Sequence, residues 1–134
     1  MSSINEAREA IYSRFNTEWA ARTEFTFDNE RFDAPVNGSW VRLVVRNIVS
    51  NQETLGRMGN RKFNRQGSII CQVFVDSNTG LQNSDTLTEA IRTIFEGVSF
   101  NGVYANDCVI REIGPDGKWF QTNVETFFFY DDIK

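Results

Sequence analysis

The spacing of apolar residues changes along this chain, and that change dictates which segments can be helices and which must be strands. Ile4, Ala7, Ile11, Phe15 and Trp19 recur every three or four residues, behind a capping box in which Ser3 is followed three positions later by Glu6. This predicts an amphipathic first helix whose opposite side, carrying Glu6, Arg8, Glu9, Arg14 and Glu18, meets solvent. After Arg22 the period falls to two. Phe25-Thr26-Phe27 predicts a short strand and Asp28-Asn29-Glu30 a turn, with a loop over 34–38. In 40–49, Val41, Leu43, Val45 and Val49 point one way, whereas Trp40, Arg42, Val44 and Arg46 point the other.

A further strand over 67–76 sets Ile69, Cys71, Val73 and Val75 against Ser68, Ile70, Gln72 and Phe74. Asn78-Thr79-Gly80 supplies turn chemistry, and a second helix is expected from Ser84 or Thr86, with Glu89 completing a capping box from Thr86. Leu87, Ile91, Ile94, Phe95 and Val98 form its buried stripe, and Gly97 is placed to end it in a left-handed cap. A hairpin closes the chain, with strands over 103–113 and 119–130 joined at Gly114-Pro115-Asp116-Gly117. Its second strand sets Phe120, Val124, Phe128 and Tyr130 against Trp119, Gln121, Asn123, Glu125, Phe127 and Phe129. The expected fold is α+β, in the order helix-strand-strand-strand-helix-strand-strand, with two helices packed on one face of a mostly antiparallel sheet. The 134 residues suit a single domain over 1–134.

Composition narrows function by exclusion. The chain has no histidine, which removes imidazole acid–base catalysis, Ser-His and Cys-His nucleophile pairs and His-ligated metals. Cys71 and Cys108 lie far apart in apolar stretches and read as free buried thiols. A net charge of −4 repels phosphate and anionic membranes. The segment 1–22 is charged throughout and no apolar run reaches the roughly 20 residues of a spanning helix, so folding in the cytoplasm without a membrane partner is expected. Glu30 with Asp33, and Asp131 with Asp132, have no spacing specific to catalysis or to a divalent cation; the last two read as part of a solvated tail. No catalytic residue, metal ligand or cofactor site is identified, and an enzyme is not expected.

One segment departs from the general acidity. Between Gly56 and Gly67 lie Arg57, Arg61, Lys62 and Arg65 and no acid, although the chain carries eighteen acidic residues. It reads either as a solvated hairpin tip with no partner or as a mobile basic arm between two strands, suited to an acidic protein surface or a phosphate backbone, with Phe63 as an apolar anchor. Eighteen aromatic residues, twelve of them Phe, exceed what one sheet face needs. Trp40, Arg42, Arg46, Phe127 and Phe129 are therefore candidates for a subunit interface.

The order of these signals resembles a known family. Asp28-Asn29-Glu30-Arg31-Phe32-Asp33-Ala34-Pro35 followed by Ser39-Trp40-Val41-Arg42-Leu43-Val44-Val45 is similar to the opening of tail terminator (tail completion) proteins of long-tailed, non-contractile bacteriophages. Arg65-Gln66-Gly67 leading into Ile70-Cys71-Gln72-Val73-Phe74-Val75, then Thr79-Gly80 and a helix with Leu87, Ala90, Ile91 and Phe95, continues the likeness. The resemblance implies a structural virion protein. It would cap the tail tube as a homo-oligomeric, hexameric ring, stop tube polymerisation and offer a docking surface to the head. Its implied partners are other copies of itself, the tail tube protein and the head–tail connector, with genomic DNA passing through the lumen unbound by sequence. Its implied place is the head-proximal end of the tail, reached from the host cytoplasm. Two other readings stay open: a connector or tube component, and a nucleic-acid-binding module using 57–65 with Phe63 stacked on bases.

Overall fold

A computed structural model of the chain describes residues 4–20, 22–33, 38–77 and 80–134, apart from the side chain of Asp116. Ser3 of the expected capping box, positions 34–37 of the expected loop and positions 78–79 of the expected turn lie outside the described residues. Helix α1 (Ile4–Trp19) and helix α2 (Gln82–Phe95) accompany six strands: β1 (Glu24–Phe27), β2 (Trp40–Gln52), β3 (Lys62–Asp76), β4 (Ser99–Phe100), β5 (Val103–Asp116) and β6 (Trp119–Ile133). The class is α+β, and the element order gains only the two-residue β4 over the expected one. The strands form one sheet in the order β1-β2-β3-β6-β5-β4. All neighbours are antiparallel except β1 and β2, whose register from Glu24↔Trp40 to Phe27↔Leu43 is parallel. That pairing follows from the twelve-residue connection between them, long enough to return the chain to the end of the sheet from which β1 started.

Both helices lie on the same face. Ala7, Ala10, Ile11, Phe15 and Trp19 of α1 and Leu87, Ile91, Ile94 and Phe95 of α2 share one core with Val41, Leu43 and Val45 of β2 and Ile69, Cys71, Val73 and Val75 of β3. Each large side chain fully buried there contributes about 1.5–3 kcal/mol. Phe15 stacks on Trp19 and on Phe95, joining the helices through aromatic contact. The spacing predicts that the polar side of α1 meets solvent, but two of its cations bind main chain instead. Arg14 Nε donates to the Ile94 carbonyl at 2.8 Å, satisfying a C-terminal acceptor of α2, and Arg8 Nη2 donates to the Val45 carbonyl at 3.3 Å. Beneath α2, the Ser84 and Thr122 hydroxyls are both buried and lie 3.0 Å apart.

Three local expectations change. Helix α2 begins at Gln82 with no side-chain cap, and Thr86 Oγ1 instead donates to the Gln82 carbonyl one turn back. The last hairpin turns at Gly117-Lys118, not over 114–117. Pro115 pairs with Phe120 and Asp116 with Trp119, while Gly117 takes φ +62° as the first residue of a two-residue turn. Proline is tolerated there because β4 pairs only with Val103 and Tyr104, leaving the outer edge of β5 without a ladder to break. Finally, β2 carries a bulge between Asn47 and Val49. The extra residue sets Val49 opposite Gln66 and turns it from the expected inner row to the outer face, where it is 44 % exposed.

Candidate interaction surface

Alternation places the second set of side chains on the sheet face that bears no helix. At one end of this outer face, Trp40 stacks on Phe74 with centroids 4.2 Å apart, meets Trp119 edge-on at 6.2 Å and contacts Phe32. These rings cover one another: Trp40 is only 5 % exposed within a single chain, so little of it is left to offer a partner. Arg42 lies over the Trp40 ring at 5.3 Å. Arg46 is exposed and hydrogen-bonded to Asp28, holding that carboxyl below the usual carboxylate range.

The other end of the outer face is open and apolar. Register aligns Val49, Gln66, Phe129 and Tyr104 in one row across β2, β3, β6 and β5, and Phe129 stacks on Tyr104 at 5.0 Å. Phe127 is 39 % exposed and Ile48 61 %. The β2 bulge and a second one between Ala105 and Cys108 of β5 flank this stretch of β3 and β6 on either side. Between them lies a pocket of about 300 Å³, lined by Ile48 and Val49 of β2, Gln66 and Gly67 of β3, Phe127, Phe128 and Phe129 of β6 and Asn106 of β5.

The basic segment is not a free arm over its whole length. Strand β3 begins at Lys62, so Lys62, Phe63 and Arg65 are strand residues, and only 53–61 form the connection from β2. The distal strand end is tied to the chain terminus by reciprocal backbone hydrogen bonds between Arg61 and Lys134, at 3.2 and 2.9 Å. Three cations surround the half-buried Phe63 ring: Arg65 at 5.0 Å, Arg61 at 5.6 Å and Lys134 at 5.9 Å. Asp131 and Asp132 belong to β6 and are not a loose tail. Lys62 lies 3.4 Å from Glu53 and 3.6 Å from Asp131, and these carboxylates raise its pKa, with Glu53 the larger influence. Arg65 pairs with Asp132 at 3.1 Å and with the Ser50 hydroxyl. Arg57 stays exposed on the loop without an ion pair among the described residues.

Charge alone did not single out the most exposed large apolar side chains among the described residues, Leu55 at 94 % and Met58 at 84 %, which occupy the same loop. Their signal in the sequence is that they are large hydrophobes among glycines and polar residues, with no periodicity assigning them to a core. The structure brings Phe127 and Phe129 together with Ile48, Val49 and Tyr104, whereas Trp40 sits at the opposite end of the face.

Other features offer binding geometry and little chemistry. A broadly open concavity of about 700 Å³ lies beside α1, lined by Glu6, Glu9, Ser13 and the turn at Asn101-Gly102. Among the described residues no three His, Cys, Asp or Glu side chains gather at metal-binding range, and no helix is long and apolar enough to cross a membrane. Cys71 and Cys108 are free and buried, and burial pushes both thiols up, Cys71 furthest.

No protein-family model matches the chain, and no curated protein matches it. A solved structure 12 % identical to it superposes with a TM-score of 0.70, over 100 % of this chain and 99 % of the other. At that identity the likeness concerns the fold alone.

Proposed function

We propose that this protein is a phage tail terminator: a structural subunit that closes into a homo-oligomeric ring, six copies in the family it resembles, caps the tail tube and presents a surface to the head–tail connector. The observation that carries the reading is that one small chain exposes two unlike apolar patches. One is the row of Val49, Phe129 and Tyr104 on the helix-free sheet face, and the other is the loop tip with Leu55 and Met58. Two different patches on one subunit favour a head-to-tail contact, which closes into a ring when the rotation between copies divides a full turn. Exposed apolar area of this kind marks a surface meant to be covered. Repetition around the ring then multiplies weak contacts with an equally repeated tube end.

Arg42, Arg46, Phe127 and Phe129 join this subunit interface, with Trp40 packed beneath Arg42 at the other end of the face. Arg57, Arg61, Lys62, Phe63 and Arg65 form the basic end of the hairpin that meets an acidic groove of the neighbour or of the last tube ring. Genomic DNA passes through the lumen without base recognition, and no cofactor takes part.

Solution mass measurement combined with electron microscopy of particles assembled without the protein tests the proposal. A discrete ring and abnormally long tails are expected. Tubes of purified protein growing without limit would identify a tube component instead, and tails of normal length lacking heads would identify a connector.

A further inference from the structure

The outer-face pocket and the 53–61 loop have complementary properties. The pocket is apolar, about 300 Å³, and bounded by Ile48, Val49, Phe127 and Phe129, with Asn106 on its β5 side. The residue after Asn106 is Asp107, an exposed carboxylate with no ion pair among the described residues. The loop presents Leu55 and Met58 almost fully to solvent, and between them in sequence stands the exposed Arg57. One partner thus offers an apolar knob with a neighbouring cation, and the other an apolar hollow with a neighbouring anion. Leu55 at 94 % exposure touches almost nothing of its own chain, so the pocket of the same copy is not its seat.

We propose that Leu55 and Met58 of one copy seat in the pocket between the β2 and β5 bulges of a second copy, with Arg57 of the first meeting Asp107 of the second. The inference rests on the ring reading above and gives it a specific contact. Apolar anchors entering a pocket dominate interface energetics, while a flanking charge pair selects partner and register. The contact is heterologous, so each copy uses its loop toward one neighbour and its pocket toward the other. It also gives the two bulges a common task, since together they open the hollow that a regular sheet would not have.

The test mixes two separately purified single variants, Leu55→Cys and Asn106→Cys, under mild oxidation. A disulfide between the two species can arise only between copies, and the native thiols are buried. The expected product is the mixed dimer. Asp107→Arg should weaken self-association roughly tenfold, and adding Arg57→Asp in the same chain should restore most of it. Leu55→Cys linking to itself in preference to Asn106→Cys would replace the head-to-tail contact with a symmetric one and overturn the inference. A ring of unchanged mass with no mixed disulfide and no response to charge reversal would overturn it while leaving the ring reading standing. A protein that stays monomeric at every concentration reached would remove both.

Discussion

Gly67 and Phe128 face each other across β3 and β6 so closely that a Cβ on Gly67 would stand 2.8 Å from Phe128 Cζ, and it would also run into the Arg46 carbonyl. Here the backbones of β2 and β3 and the Phe128 ring share space that only a hydrogen can occupy. Gly67→Ala must therefore displace main chain as well as a buried ring. We expect a loss of about 2–4 kcal/mol, read as a lower urea midpoint. A variant as stable as the parent would show that the β2 bulge beside this site gives way freely.

The outer-face aromatic cluster yields a contrasting pair. Trp40→Ala removes the ring stacked on Phe74 and should cost about 3–5 kcal/mol. Trp40→Phe keeps an aromatic ring and discards an indole N–H that has no partner among the described residues, so its cost should stay below about 1.5 kcal/mol. Chemical denaturation followed by far-ultraviolet circular dichroism separates the two, and equal losses would contradict the packing described.

Asp28 gives a pH dependence of small size and definite sign. Its hydrogen bond with Arg46 lowers its folded-state pKa, so the stabilisation is present above the unfolded carboxyl's pKa and disappears as pH falls through the folded value. The pair is solvent-exposed, with Arg46 at 52 %, which limits its worth to about 0.5 kcal/mol. Asp28→Asn should therefore be less stable than the parent by about that amount near neutral pH and indistinguishable from it at about pH 2. A gap that widens on acidification would have the wrong sign.

The two thiols should be silent until the protein unfolds. Cys71 is fully buried, and Cys108 lies 2.9 Å from the Thr126 hydroxyl beneath the sheet surface. Burial disfavours the thiolate of each, so an aromatic disulfide reagent at about pH 8 should label neither in native protein and both in denaturant. Rapid labelling of one thiol in the native state would place it in a far more open environment.

Where the hydrophobic period was regular, the sequence was readable. The alternation of Val41, Leu43 and Val45, and the division of β6 into Phe128 with Tyr130 against Phe127 with Phe129, correspond to the two faces of the sheet. The bulge at Asn47 was not readable, because one extra residue changes no composition yet reverses every side chain after it. Gly114-Pro115-Asp116-Gly117 carries stronger turn chemistry than Gly117-Lys118, but pairing with Phe120 and Trp119 draws it into β5. The basic stretch reads as mobile because, Glu53 beside Lys62 apart, its compensating acids Asp131 and Asp132 are remote in sequence and come alongside only when β3 pairs with β6. Within the candidate surface, Phe127 and Phe129 could be found from alternation, whereas the partnership of Ile48, Val49 and Asn106 around one hollow depends on two irregularities in different strands.

The Ser84–Thr122 hydroxyl pair acts as an alignment pin for α2. The leucine and isoleucines of that helix would tolerate sliding by one turn, about 5.4 Å, by exchanging one greasy neighbour for another. The two hydroxyls would not, because each would then lie dry and alone at about 1–3 kcal/mol. A weak bond thus rejects misdocked helices more effectively than it strengthens the right one, and the sheet beneath keeps a single reproducible shape from copy to copy.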